Sequence, residues 1–216
     1  MKAVEQYRNQ YRQNFIGKNY NGYAHVLFVV FWCVAVIVFC VLNIHQTTWK
    51  ELLIIPFTFI YINWIEYIGH KGPMHHQTKL LSKVFERHTM QHHHFFTYDN
   101  MSFDSTKDFK AVLFPPVLLI FFFVCFVLPV SLLIFWLWNT NAALIFMATI
   151  IAYYFNYEFL HFCYHLPENH FLLKIPLVKR LKKLHHTHHD TTLMTKYNFN
   201  ISYPIFDWIY GTIYKK

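Results

Sequence analysis

The sequence predicts an all-α integral membrane protein with four transmembrane helices in two hairpins and a cytosolic histidine-rich helical cap, built as a single membrane-embedded domain over residues 1–216. Three observations carry that expectation. Of the residues, 55% are hydrophobic and only 14% are charged, where a soluble domain carries about 25% charged residues. Four apolar runs approach the roughly 20 residues that a helix needs to cross a bilayer. The Lys and Arg residues concentrate in alternate connections, the pattern that marks the cytoplasmic side of a membrane protein.

The elements follow in order. Residues 1–23 are polar and carry Lys2, Arg8, Arg12 and Lys18. They show no signal-peptide pattern, so the first apolar run reads as an uncleaved anchor. That run, residues 24–44, holds no Lys, Arg, Asp or Glu. The next turn has Lys50 as its one Lys or Arg, and the second span, residues 52–68, carries Glu66 near its end. The third span, residues 112–138, is longer than a crossing requires, and Pro129 marks a kink in it. After a short turn at residues 139–141, the fourth span covers residues 142–160 with Glu158 near its end. With four spans, the amino terminus, residues 69–111 and residues 161–216 share one side, which then holds 18 of the 19 Lys and Arg. The net charge of +8 is thereby a topology signal, reinforced by attraction to anionic headgroups; no nucleic-acid partner is expected. Cys33, Cys40 and Cys125 read as packing residues, and Cys163 points off the face its neighbouring histidines share.

Histidine carries the chemistry. Ten of the 16 histidines form four groups: His70-x4-His75, His88-x3-His92-His93, His161-x3-His165 and His185-x2-His188-His189. A neutral imidazole is the commonest transition-metal ligand in proteins, and ten exceed the four donors of one zinc ion; two metals are expected. On an α-helix, residues four apart share a face, so His161 and His165, and likewise His88 and His92, are placed to grip metal together. Gly72 and Pro73 end the helix between His70 and His75 and let His75 turn back. His76, His94 and His186 are neighbours that the spacing does not assign. Glu66 and Glu158 lie a turn from ligands, where a carboxylate fixes a ring by taking its second N–H. Asn63 and Asn156 lie within a turn of those acids and are read as supports. The aromatic segment Phe95, Phe96, Tyr98, Met101, Phe103 and Phe109 reads as interfacial, and residues 171–184 as a basic amphipathic helix on the headgroups.

Neutral nitrogen donors suit Fe, Zn, Cu and Ni. At a membrane surface the accessible substrate is a lipid with unactivated C–H bonds, whose oxidation calls for O₂ and a redox-active metal, hence two irons, with zinc as a possible substitute. The expected function is an O₂-dependent lipid hydroxylase, with a lipid desaturase as the close variant. A metal transporter is disfavoured because the span middles lack coordinating groups. A zinc-dependent hydrolase would require an open coordination position and a base such as Glu158.

The same residues resemble a known family. Trp64-Ile-Glu66-Tyr67-Ile-Gly-His70-Lys71 with His75 looks like the first histidine box of the fatty acid hydroxylase/sterol desaturase superfamily, and Arg87-His88-Thr-Met-Gln-His92-His93-His94-Phe95-Phe96 like the second. Tyr157-Glu158-Phe-Leu-His161-Phe-Cys-Tyr-His165 resembles the third, and Arg180-Leu-Lys-Lys-Leu-His185-His186-Thr-His188-His189 the fourth. Asn198-Phe199, Asp207-Trp208 and Gly211-Thr212 resemble the closing pattern. The second box has three intervening residues where many relatives have two. The resemblance implies a membrane di-iron monooxygenase with the ten boxed histidines as ligands. Its substrate would be a fatty-acyl, sterol or related lipid. Its electrons would come from a separate donor, a reductase with a b-type cytochrome or a ferredoxin.

Overall fold

A computed structural model describes residues 2–215. Twelve α-helices follow in order: α1 (Lys2–Phe15), α2 (Gly22–Leu42), α3 (Trp49–Leu52), α4 (Ile54–Gly69), α5 (Ser82–Phe85), α6 (His93–Phe95), α7 (Phe109–Val112), α8 (Pro116–Phe122), α9 (Leu128–Leu137), α10 (Thr140–Tyr164), α11 (Pro176–His188) and α12 (Ile205–Ile209). Three π-helical turns, His70–Met74, Glu86–His92 and Phe123–Val127, interrupt them. No strand forms among the described residues; Thr97 and Asn100 make one isolated bridge.

Four helical stretches are long and apolar enough to cross a membrane: Gly22–Leu42, Trp49–Met74, Thr106–Leu137 and Thr140–Tyr164. They match the four apolar runs of the sequence, with shifted ends. The third departs most. Its helix begins at Pro116 rather than at Val112, because Phe114 and Pro115 each precede a proline and are driven out of the helical region. The expected irregularity at Pro129 takes the form of the π turn Phe123–Val127 just before it. Proline removes an N–H and crowds the carbonyl four residues back, and a widened turn is a common way to absorb that.

The chain divides into two compact units. One comprises Tyr23–Ile62 and Phe114–Glu158. It holds two apolar clusters: Val29, Cys33 and Ile151 with Trp32, Phe123 and Phe155 around them, and Val127, Phe146 and Ile150 beside Ile54 and Ile134. Large apolar side chains also face outward, among them Phe31, Phe57 and Trp136, an exposure that lipid tolerates and water does not. Its two short turns are hydrogen-bonded to each other. Asn141 donates to the His45 carbonyl at 2.6 Å and accepts from the His45 amide at 3.1 Å, and Asn139 donates to Glu51 at 2.7 Å. Glu51 also closes a capping box with Thr48 at the start of α3, so one carboxylate satisfies a helix end and ties the turns.

The other unit comprises Met1–Gly22, Asn63–Leu113 and Phe159–Lys216 and contains all ten boxed histidines. Its core gathers Tyr11, Ile16, Phe95, Phe96, Met101, Ala111 and Val112. Phe95 and Phe96, expected at a lipid interface, are instead fully buried in protein. Their apolar area is covered by α1, whose Tyr11 ring meets Phe95 edge-on at 5.1 Å. α1 is fastened by charge as well. Arg12 donates to both oxygens of Asp108 at 2.8 Å, and Arg8 and Arg12 share Asp104 at 2.9 and 2.8 Å. Asp108 is fully buried and also accepts the amides of Asp104 and Ser105 at 2.9 Å. The stretch leading through α11, read from the sequence as a basic amphipathic helix, divides its apolar residues. Its Val178 and Leu181 are buried in protein, while Leu177 stays exposed.

Candidate metal centre

All ten boxed histidines are buried, His88 the most accessible at 8%. They form two adjoining groups. His70, His75, His88, His93 and His188 present one ring nitrogen each within 4.8 Å of one another, and so do His92, His165, His185 and His189. His161 joins the second group through His92, nitrogen to nitrogen at 3.3 Å. The stacked rings of His93 and His189, 4.2 Å apart, join one group to the other.

These groups cross the sequence boxes, and the π turns explain why. In the turn Glu86–His92 the amide of His93 bonds to the carbonyl of His88, five residues back. Residues five apart therefore share a face, and the Nε2 atoms of His88 and His93 lie 3.1 Å apart. The expected partner His92 stands on the neighbouring face and enters the other group. The π turn His70–Met74 likewise brings His75 back to His70, 3.1 Å between Nε2 atoms. Where the helix is regular, the i,i+4 rule holds: His185 on α11 and His189 at its C-terminal cap meet at 3.0 Å. His188 on the same helix turns to the first group and meets His75 at 2.9 Å.

The second ring nitrogens are aimed by backbone. His70 donates from Nδ1 to the Phe199 carbonyl, and His188 to the Tyr197 carbonyl at 2.9 Å. His75 donates to the Thr89 hydroxyl at 3.2 Å, which itself donates to the Met74 carbonyl at 2.6 Å. In the second group His92 donates to Ala111 at 2.9 Å, His165 to Met101 at 2.8 Å and His189 to Phe96 at 2.6 Å, each at the carbonyl. A carbonyl only accepts, so each of these Nδ1 atoms carries the proton and Nε2 carries a lone pair.

The consequence decides what the site fits. In the pairs His70–His75 and His75–His188, both Nδ1 protons are committed outward, yet the Nε2 atoms face each other at 3.1 and 2.9 Å. Two lone pairs at that separation repel unless a cation lies between them. Protonating the rings is disfavoured. Burial, followed by the neighbouring histidines, pushes His88, His93, His165, His185 and His189 well below the ordinary histidine range. Burial lowers His188 to about 4, His92 to about 3 and His75 to about 2. A metal ion is the remaining cation. Donors about 2.0–2.1 Å from one ion lie roughly 3.0–3.4 Å apart, close to the 2.8 to 3.3 Å separations between Nε2 atoms here. The residues fit metal binding.

The acids and amides expected beside the ligands act at one remove. Both ring nitrogens of His70 are engaged with Phe199 and His88, so Glu66 does not take its second N–H. Glu66 instead accepts the amides of Ile201 and Ser202 and the Ser202 hydroxyl. The Asn63 side chain donates to the Tyr203 carbonyl at 2.9 Å, and the Asn63 backbone carbonyl accepts from the Asn200 side chain at 3.0 Å. Both therefore hold the segment that presents Phe199 to His70. Glu158 accepts from the Phe114 amide at 3.4 Å and the Tyr154 hydroxyl at 3.1 Å. It lies in the other unit, as does Asn156. His76, His94 and His186 stay outside both groups, on the carbonyls of Lys71, Thr89 and Tyr98. Cys163 is buried but belongs to neither group.

Three residues carry more than the sequence suggested. Asp207, fully buried, accepts the amides of Phe199 and Asn200 at 2.9 and 2.6 Å and the Thr212 hydroxyl at 2.6 Å. Asn198 adopts a left-handed backbone with φ 58°, a region that Asn enters more readily than most residues. That single turn faces the carbonyls on either side of it, Tyr197 and Phe199, toward His188 and His70. Thr89 supplies the acceptor for His75. The closing pattern around Asn198 and Asp207 was the available sequence signal for the first two; Thr89 had none. Comparison with family profiles, with curated proteins and with solved structures found no match for this chain.

Proposed function

We propose that this protein is a membrane-bound oxidoreductase in which ten histidines hold two metal ions, iron in the active form. Using O₂ and electrons from a separate carrier, it would hydroxylate a C–H bond of a membrane lipid, fatty-acyl, sterol or related. The observation that carries the reading is the convergence of Nε2 lone pairs with their Nδ1 protons already committed to acceptors outside the cluster. Redox-active ions in that cluster would supply the oxygen-activating power that an unactivated C–H bond demands. The chain's own residues prepare the rest. Burial keeps the rings neutral and therefore able to donate, and fixed backbone acceptors set the tautomers of His70, His92, His165, His188 and His189 before any ion arrives. The surrounding Phe95, Phe96 and Phe199 side chains, all fully buried, exclude water.

Membership of the fatty acid hydroxylase/sterol desaturase superfamily is part of the proposal, supported by the four boxes and the closing pattern. So is the topology. The hydrogen bonds between the turn at residues 45–51 and the turn at 139–141 support two helical hairpins with both turns at one end. The distribution of 18 of 19 Lys and Arg supports a cytosolic site. The test is expression with an electron donor, lipid mass spectrometry and metal analysis of the purified protein. A lipid heavier by one oxygen atom is expected, and it should vanish in His161→Ala while the variant still inserts. A product lighter by two hydrogens would make the protein a desaturase. Protein that binds no iron and changes no lipid would defeat the reading.

A further inference from the structure

Resting on the metal-binding reading above, we infer that Arg8 and Arg87 are positioning residues for the second histidine group, and that the amino-terminal helix α1 is thereby part of the metal centre's support. The observation is a repeated juxtaposition. Arg8 donates from Nε to the Phe95 carbonyl at 2.8 Å, and His189 takes the next carbonyl, that of Phe96. Arg8 also donates from Nη2 to the Asn100 carbonyl at 2.7 Å, and His165 takes the next one, Met101. Arg87 donates to the Lys110 carbonyl, and His92 takes the next one, Ala111. Three times an arginine holds carbonyl i and a histidine is aimed by carbonyl i+1.

Peptide geometry gives the repeat its meaning. Each carbonyl is fixed in a planar unit, and adjacent planes are related by a single φ,ψ pair. Holding one carbonyl leaves only that pair free to aim the next. Of the three aimed carbonyls, that of Ala111 lies on the one-turn helix α7; those of Phe96 and Met101 lie within residues 96–104, which lack regular helix or sheet apart from the single Thr97–Asn100 bridge, so no ladder fixes them. Guanidinium groups can do so because each offers five donors in a rigid fork. Arg8 uses three arms at once, on Phe95, Asn100 and Asp104. It is 5% exposed, a burial that a charged residue takes only when paired. Arg87 spreads similarly over the Lys110 and Leu113 carbonyls and the Tyr11 hydroxyl of α1. A second tie joins α1 to the same box, the Tyr7 hydroxyl donating to the Met90 carbonyl at 2.7 Å. Among the described residues no arginine contact of this kind aims the first group, whose carbonyls at Tyr197 and Phe199 lie in the segment held by Asp207 and Glu66.

The test uses metal-free full-length protein in detergent: wild type, Arg8→Gln, Arg87→Gln and Arg8→Lys, each titrated with cobalt(II) alone and followed by its ligand-field spectrum. His75→Ala, which takes one of the first group's five ligands, weakens that group's ion in each background and so identifies the other. The Gln variants should bind the second group's ion 10- to 100-fold more weakly, the usual effect of losing a ligand's support, with the first group's ion unchanged. Lysine, whose donors all sit on one nitrogen, should restore the charge opposite Asp104 but not the cobalt affinity. Equal weakening of both ions would mean that the arginines only stabilise the fold, and wild-type affinity for both would mean that they do nothing; either result overturns the inference. If wild type takes up no cobalt, the metal reading fails instead. Nitrogen-15 histidine spectra of the metal-free chain then decide: Arg8→Gln should speed proton exchange at Nδ1 of His165 and His189 but not of His70 and His188. Unchanged exchange at all four would overturn the inference on its own.

Discussion

The two histidine groups present the same ligand atoms but are braced by opposite charge. Around His70 and His188, the aiming carbonyls lie in the segment of residues 197–202, and carboxylates hold that segment by its N–H groups: Asp207 at Phe199 and Asn200, Glu66 at Ile201 and Ser202. Around His92, His165 and His189, guanidinium groups hold the aiming segment by its carbonyls. An acid grips N–H and leaves carbonyls free to face the ring; a base must grip one carbonyl to aim its neighbour. The first group also has Asn198 in a left-handed turn that orients two carbonyls at once. The second draws its three acceptors from Phe96, Met101 and Ala111, spread over 16 residues of chain. That dispersed support needs an external strap, and α1 provides it.

The comparison breaks most severely when ligands are removed. His75→Ala and His165→Ala should each lower bound metal by about one ion per chain and abolish lipid oxidation, read by elemental analysis and product mass spectrometry. If either variant loses both ions, the groups are one cooperative site rather than two. Acid should act next. The folded values of His188, His92 and His75, about 4, 3 and 2, lie below the unfolded value of about 6.5. The unfolded chain therefore binds more protons at low pH. Stability of the metal-free protein should be full above about pH 6.5 and fall progressively as pH drops toward these folded values. Thermal unfolding between pH 7 and pH 4 measures it, and bound metal should shift the loss to lower pH.

Smaller effects sharpen the contrast between the braces. Asp207→Asn should weaken the first group's ion about 10- to 100-fold and spare the second, the mirror image of the arginine variants, in the same cobalt titration. Asn198→Val should cost about 1–2 kcal/mol more than Asn198→Gly, since both lose the bonds to Leu184 and Tyr214 but only valine resists φ 58°. Chemical denaturation separates them. At the bottom of the scale, His76→Ala and His94→Ala, both exposed and outside the groups, should change stability by no more than about 0.5 kcal/mol and leave metal content as it was.

The four membrane-capable helices were legible in the sequence because apolar runs of that length have few other uses. The later start of the third helix was not, since Phe114 and Pro115 act through backbone conformation that hydropathy does not see. The ten histidines were legible by type and clustering. Their partition was not: His88 and His92 look like an i,i+4 pair, and the π turn separates them and pairs His88 with His93. Glu66 was legible as a buried acid near a ligand, but its real partners, Ile201 and Ser202, are 135 and 136 residues away.

By itself the sequence determined the donor chemistry and the membrane-capable segments, because imidazole nitrogen and side-chain hydropathy are properties of single residues. Only the tertiary structure decided which rings converge and what aims them. The partners that aim half of them are backbone carbonyls. Every residue has one, so no residue type announces it, and its direction exists only once distant arginines, acids and turns have fixed the peptide plane.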